Sequence, residues 1–486
     1  MAVAQGPGMA KRLSTAAQAF FAAGAFATVA SGCADAPAFE LSGDGPADGR
    51  GDSAVRSVRV VAAIEEWNAG ISAEDREAKY CKMADSAFGF FRGTSHLFWE
   101  DLAYHPRIAD FGNRNTITWI TGDQHIENFG VFDDSRGEVV FSLNDFDDAV
   151  IADYQYDVWR TAISIVLAAE QFGVLTDDEQ AEVIEGFAEA YLDAIARFSD
   201  TDDALDAIFS ADNTRGVLRD FIEHVEETRG RDRKLRRWTE LEDGERVFDV
   251  SRDNLTEVTE EEEAAIRAAM AGYLDSLAGE GADLDEDYFE IKSIARRLGA
   301  GTGSLGADRY YLLIEGATDS LDDDRILDVK EQFAPAPYRY FSAEHRELYD
   351  RTFTSHAQRH AHAYRALERH VDPHLGWMEL DGISFSVRER TAYRRTLDTE
   401  SLRDVDEYLE MAAYWGEILA AGHARGGRDF DEPLLPFSVA EHIDAAAGGA
   451  RGNFSALVGE VAFVYADRVE QDWRSFLTAL APAECE

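Results

Sequence analysis

Positive charge is scarce in this chain. Its 47 Lys and Arg stand against 94 Asp and Glu, a formal charge of −47, and the isoelectric point is near 4.5. Gripping the phosphates of nucleic acid or of an anionic bilayer takes a basic face, so neither is expected as a partner. Only six lysines occur, Lys11, Lys79, Lys82, Lys234, Lys292 and Lys330, and Arg carries almost all the positive charge. A lysine inside a motif is therefore informative. Cysteine is equally rare, at Cys33, Cys81 and Cys485. With no C-x-x-C pair and no Cys/His ligand spacing, a structural zinc site is not expected. No G-x-S-x-G or other nucleophile motif occurs, and no internal repeat.

What remains is globular in composition, with 45% apolar and 29% charged residues in 486. That length suits two to three domains and a core that needs no disulfide staples. At the N-terminus, Lys11 and Arg12 precede the uncharged, small-residue stretch from Leu13 to Gly32. A basic start, an apolar middle and small residues before a cleavage point describe an export signal. Ala30-Ser31-Gly32-Cys33 resembles a bacterial lipobox, except that Ala30 stands where Leu is usual. The resemblance implies lipidation of Cys33 and a place in the cell envelope, anchored to the membrane through that lipid alone. A cleaved secretory signal or a retained anchor is the alternative. Lipidation of Cys33 leaves Cys81 and Cys485 as a possible pair in an oxidising compartment.

The chain divides by pattern into a signal segment (1–33), a Gly/Asp/Ala/Pro-rich tether (34–54), a helical region bearing the main motif (55–285), a sheet region (286–345) and a closing helical region (346–486). Residues 55–110 read as helical. Thr116 to Thr121 and Glu138 to Asn144 read as strands joined by a Gly/Asp-rich segment, before a buried helix over 154–172. Thr176 and Glu179 form a capping box that opens a helix ending near Phe198. Between Tyr288 and Lys330 the pattern is strand, Gly-rich turn, strand from Tyr310 to Glu315, Asp-rich hairpin, strand from Arg325 to Lys330. From Phe353 the chain reads as mostly helical. The class is α+β.

The chemistry concentrates in Gly122-Asp123-Gln124-His125-Ile126-Glu127-Asn128 and in Asn144-Asp145-Phe146-Asp147-Asp148. Both follow strands, where carboxylates can project into a cleft. An Asp five residues before an Asn, with another Asp at the next strand end, suits Mg²⁺-dependent phosphoryl transfer. Asp123 is the candidate general base, Asn128 and Asp145 the metal ligands, and Asp147 extra metal support, with His125 supporting. A second constellation is Gly301-Thr302-Gly303-Ser304-Leu305-Gly306 between two strands, followed by Lys330 at the end of a third. Leu327-Asp328-Val329-Lys330 resembles the kinase V-A-I-K strand, whose Lys holds ATP phosphates. Gly301, Gly303, Ser304, Gly306 and Lys330 are thus the candidate nucleotide-binding set. Glu368, on a downstream helix, is a candidate partner for Lys330.

Together these segments resemble the aminoglycoside and choline phosphotransferase-like kinases, which carry a similar G-D-x-H-x-x-N loop and a later D-F-D/E-x-A strand end. The resemblance implies a two-lobed kinase-like fold, with Mg²⁺ and ATP as cofactors. It implies that Asp157 braces the catalytic loop, although Thr121 replaces the usual His. The order departs from that pattern, since the Gly-rich turn and Lys330 follow the catalytic loop, which requires a circular permutation. Over about residues 78–476 the chain also resembles the bacterial domain of unknown function 2252 family. Phe90-Phe91-Arg92-Gly93-Thr94, Tyr156 to Ala168, Leu375-Gly376-Trp377, Gly422-His423-Ala424-Arg425 and Tyr465-Ala466-Asp467 carry that likeness.

Arg92 is a candidate anion fork or a tie to a carboxylate. His423 and Arg425 read as structural, the cations of Arg229 to Arg237 as a solvated face, and the helix with His356, His360 and His362 as a surface helix. Two rival functions use the same residues. A metal-dependent phosphoesterase would employ Asp123, His125, Asn128, Asp145 and Asp147 around metal-activated water. A lipid-anchored binding protein would keep the cleft without catalysis. The acceptor, a small molecule or a protein side chain, is not specified.

Overall fold

The computed structural model describes residues 51–482 apart from 253, 300–305, 428–434 and 436–437, together with Cys485. The signal segment with Cys33 and most of the tether lie outside the described residues, as do Gly301, Gly303 and Ser304.

Helices α1 (Gly51–Trp67), α2 (Ala73–Ala84), α3 (Ala87–Gly93) and α4 (Ser95–Leu102) open the fold. The Ser72 and Ser86 hydroxyls accept the N–H groups of Asp75 and Gly89, which caps α2 and α3. Strands β1 (Ile117–Ile120), β2 (Phe129–Asp133), β3 (Val139–Leu143) and β4 (Val150–Asp153) follow. They pair antiparallel, β1 with β4 and β2 with β3. Strand β2 lies where the sequence suggested only a connection. It is buried on both sides, so it shows no alternation of apolar and polar residues. Helix α5 (Gln155–Phe172) is buried along most of its length, and the Thr176–Glu179 capping box opens α6 (Asp177–Phe198).

After α7 (Asp203–Asp206) and α8 (Gly216–Thr228), the cation-rich run forms α9 (Arg231–Trp238). Leu235 and Trp238 turn inward, while Arg233, Arg236 and Arg237 are exposed. Next come β5 (Thr239–Glu242), β6 (Glu245–Phe248), β7 (Leu255–Thr256), α10 (Glu260–Ser276), β8 (Ile291–Arg297), β9 (Arg309–Ile314) and β10 (Arg325–Glu331). Helices α11 (Ala343–Thr352) and α12 (His356–Leu367) lead to β11 (Gly376–Leu380) and β12 (Ile383–Glu389). This last hairpin breaks the expected helical run. Its signal was local: Asp381 and Gly382 both take positive φ, the turn that Asp-Gly favours between strands. Helices α13 (Val405–Arg425), α14 (Val439–Ala447) and α15 (Arg451–Ala479) close the described chain.

The larger sheet is antiparallel throughout, in the order β11-β12-β10-β9-β8-β7. Alternation along the strands sorts its faces. Leu327 and Val329, with Leu312, Phe385 and Val387, face α10 in one apolar cluster. Asp328 and Lys330, with their register partners Tyr311, Arg309, Arg388 and Ser386, belong to the opposite face. Helix α12 lies on that side, where the Ala357 N–H donates to the Ser384 hydroxyl. The main core is helical and built around α5, α6, α13 and α15.

The first and last helices of the described chain are stitched together. Arg56 on α1 donates to Asp101 on α4 and to Asp472 on α15, each through two nitrogens. The Trp473 indole donates to the Met83 carbonyl, and Tyr80 meets Phe476 edge to face. Cys81 and Cys485, the pair left open by the sequence, are joined in a disulfide with a Cα–Cα distance of 5.4 Å. Closing so long a loop restricts the unfolded chain. Cys81→Ser should lower stability by about 2–4 kcal/mol in urea unfolding. Dithiothreitol should produce a similar loss in the wild type and none in the variant.

Candidate functional site

The G-D-x-H-x-x-N loop hangs between β1 and β2 and is supported by one polar stripe of α5. Asp157 on that helix accepts the N–H groups of Thr121 (2.7 Å) and Gly122 (3.0 Å). Thr121 also donates its hydroxyl to the same carboxylate at 3.0 Å. Arg160, one turn on, is fully buried and stacks over Phe91 at 4.1 Å. It donates from Nε to Asp123 at 2.6 Å. Ser164, a further turn on, accepts the Ile126 N–H at 3.1 Å. Gly122 has φ +76°, and a Cβ there would lie 2.1 Å from the Asp148 carbonyl oxygen. Only glycine fits this turn.

Asp123 is thus held by a buried guanidinium. Burial, with Asp148 and Asp145 nearby, pushes its carboxyl up to about 7 against the pull of Arg160. A carboxyl near neutrality can both take and release a proton. The Asn128 amide donates to the Asp123 carbonyl at 2.9 Å, and the Asn144 N–H donates to the Asn128 carbonyl at 3.0 Å. The two motifs are therefore hydrogen-bonded to each other. His125 is buried against Phe88, and burial keeps it well below its usual range. Arg92 pairs with Glu127 at 2.7 Å, tying α3 to the loop.

The Asn144–Ala149 turn is held from α12. Fully buried Arg359 donates to the carbonyls of Phe146 (3.0 Å), Asp147 (2.6 Å) and Ala149 (2.7 Å). Asp147 forms an ion pair with Lys330 and accepts from the Gln332 amide at 3.0 Å. His360 lies 3.7 Å from the same carboxylate. Burial acts to raise the Asp147 carboxyl, but Lys330, His360 and Gln332 more than offset it and hold it below the usual range. The α12 helix is therefore not a surface helix, since His360 is buried at the cleft. Asp148 accepts the Ala336 N–H at 2.7 Å.

Asp145 differs from its neighbours. Among the described residues its carboxylate accepts the Asp147 N–H at 3.2 Å and forms no ion pair. With the Asn128 side-chain oxygen it offers the hard oxygen donors that Mg²⁺ takes, so these two fit that ion. Asp147, already bound to Lys330, fits it less well. Glu368 does not meet Lys330; it is buried elsewhere, accepting from Ser142 at 2.7 Å. His423 and Arg425 are structural, as expected: His423 bridges Tyr191 and Asp157, and Arg425 donates to three carbonyls.

Nothing in the sequence marks Arg160 or Arg359 as site residues, because each matters through a contact made only on folding; His360 stands out in the His-rich helix, but as part of a surface helix. Lys79 was visible as one of six lysines, but not its place. It is 3% exposed on α2, and the charges that act on it are Asp148 and Asp123. Burial pulls it down to about 8 against those two carboxylates.

A cavity of about 270 Å³ opens beside Asn144, between the β2–β3 hairpin and the ends of β10 and β12. Asp372, His374 and Glu389 converge there within 4.8 Å, a spacing that could hold a metal ion. Both ring nitrogens of His374 are already engaged, Nδ1 by Asp372 at 2.7 Å and Nε2 by the Tyr288 hydroxyl at 2.8 Å. These residues form a hydrogen-bonded relay instead.

Fold and site thus define a mixed α+β protein in which motif carboxylates of the helical part meet a cation of the larger sheet. The chain belongs to a bacterial family, described as an uncharacterized protein conserved in bacteria (DUF2252), whose model matches residues 73–479. No curated protein and no solved structure matches it.

The Glu368 carboxyl is raised to about 7 by burial, despite Arg425 and the Ser142 bond. A raised carboxyl stabilises the fold below its unfolded value of 4.5 and loses that contribution as pH rises through about 7. Glu368→Gln should remove this loss, on the order of 3 kcal/mol. Unfolding at pH 5 and pH 8 checks it: the variant should gain on the wild type as pH rises.

Proposed function

We propose that this protein is a kinase-like phosphotransferase with its elements in permuted order, using Mg²⁺-ATP or a related phosphate donor on a hydroxyl-bearing acceptor. One observation carries the reading. Lys330 and Asp147, 183 residues apart in sequence, form an ion pair across the cleft. Lys330 belongs to the third of three consecutive antiparallel strands, and the first two, β8 and β9, flank the Gly-rich turn. A kinase sheet likewise carries its phosphate-binding Lys on the third strand, after a Gly-rich loop between the first two. The joined chain ends also favour permutation, since a fold whose termini meet tolerates a moved start point.

Each motif then has a role. Asp123, oriented by Arg160, accepts the proton of the attacking hydroxyl. Asn128 and Asp145 hold the metal, and Asp147 anchors Lys330. Lys330 and the turn from Gly301 to Gly306, with Gly303 and Ser304, hold the donor's phosphates. Asp157 and Thr121 keep the loop in shape. Bound there, Mg²⁺ supplies charge neutralisation on the phosphates.

The phosphoesterase alternative is less well supported. It needs several free carboxylates around the metal, whereas Asp147 and Asp123 are both paired with cations. The Cys81–Cys485 disulfide suits an oxidising compartment, in keeping with export and a lipid anchor at Cys33. Among the described residues no helix is long and apolar enough to cross a membrane.

The test is thermal unfolding with ATP, ADP or neither, each with and without Mg²⁺. Nucleotide at about 100 times its dissociation constant should add about 2.7 kcal/mol. The shift should depend on Mg²⁺, weaken in Asp145→Ala and vanish in Lys330→Met. A shift with divalent metal alone would point to the phosphoesterase. If no nucleotide moves the transition, the kinase-like reading fails and a binding protein remains.

A further inference from the structure

We infer that Lys79 binds the transferable phosphoryl group of a nucleotide donor and sets it against Asp123. This deepens the phosphotransferase reading and rests on it. The residue lies ahead of every motif on which that reading was built, on a helix the kinase resemblance does not use.

Along the cleft, Lys330 holds Asp147, Arg309 holds Asp328, Arg160 holds Asp123, and Arg296 holds Glu262 and Asp308. Lys79, at 3% exposure, is more deeply buried than all of these but Arg160, yet makes no ion pair or hydrogen bond among the described residues. The two carboxylates acting on it, Asp123 and Asp148, are satisfied elsewhere, by Arg160 and by the Ala336 N–H. A buried ammonium without a partner is costly, and such groups are kept where an anion arrives to meet them.

Position says which anion. The segment leading into α2 abuts Gly306, where a Cβ would lie 2.5 Å from Ile71. One residue of α2, Asp75, lines a small pocket with Gly306, Arg296, Arg309 and Lys330. Lys79 follows Asp75 by four residues and so shares its face, one turn further on. It stands between that pocket and the carboxylates of Asp123 and Asp148, whose charges act on it. A phosphate chain entering at Lys330 and ending at Asp123 would present its terminal group to Lys79. Lys330, already neutralised by Asp147, serves the inner phosphates, and Lys79 serves the group that moves.

Equilibrium binding of ATP and ADP, each with Mg²⁺, tests this on the full protein with its disulfide intact. The wild type should prefer ATP to ADP by at least about tenfold, the worth of one charged contact. Lys79→Met should bring that ratio close to one while leaving ADP binding within about twofold. Lys79→Arg should restore part of it, and Lys330→Met should weaken both nucleotides. Without ligand, Lys79→Met should unfold no earlier than the wild type, because it removes an unpaired buried charge; a merely structural lysine would lower the transition and leave the ratio alone. Should Lys79→Met not fold, acylation of the native amine at pH 8, read by peptide mass spectrometry, replaces it. ATP, not ADP, should then protect Lys79. An unchanged ratio or equal protection overturns the assignment and leaves the phosphotransferase reading standing. A wild type that binds neither nucleotide sinks both.

Discussion

A carboxylate taken out of water must be met by cations or donors, or it will not stay charged. At Asp147 the partners come from the far side of the fold. Lys330 and Gln332 reach it from the end of β10, and His360 from α12. Arg359, one residue before His360, takes up three carbonyls of the same turn. The sheet face, α12 and the Asn144–Ala149 turn therefore cannot move independently. Because that turn also carries Asp145 and Asp148, the charge balance at Asp147 fixes the geometry of the whole cleft floor.

The other half of the cleft depends on α5. A helix buried on all sides is normally apolar all round. This one carries Asp157, Arg160, Thr161 and Ser164 inside, spaced so that they share one stripe. Each polar group on the stripe has a task in the adjoining loop, except Thr161, which returns its hydroxyl to the helix carbonyl of Asp157. The loop contributes little packing of its own, and Gly122 approaches Asp148 too closely for any side chain. What holds Asp123 in place is thus not the loop's own preference but a polar helix face paired with it atom by atom.

This division explains what could be read in advance. The motif residues were legible because turn chemistry and catalytic chemistry both restrict residue types over short spans: Gly122, Asp123, Asn128 and Asp145 announce themselves. The capping box at Thr176 is equally local. The strands β2, β4 to β7, β11 and β12 are not legible in the sequence, the first for lack of alternation. The hairpin of β11 and β12 was overlooked although Asp381-Gly382 marks its turn. Lys330 was found, but its partner was sought on Glu368, because sequence distance says nothing about which acid a lysine meets across a cleft. Arg160 and Arg359 were invisible for the same reason: their worth lies wholly in carbonyls and carboxylates brought near by folding.

The chain order raises a last point. A site's chemistry depends on where side chains meet, whereas chain order decides only which loops must close first during folding. Here the order is bridged physically. Arg56 and Asp472, 416 residues apart, share two hydrogen bonds, and Cys81 is bonded to Cys485. The helices that begin the described chain lie on the helix that ends it, so together they act as one continuous layer beneath the Gly122–Asn128 loop. Arg160 belongs to this layer too, stacked between Phe91 of α3 and Phe98 of α4. The position of Asp123 is therefore tied, through one guanidinium, to the packing of the chain's two ends. Under the phosphotransferase reading, the seam of the permutation lies next to the base, and the disulfide secures that seam.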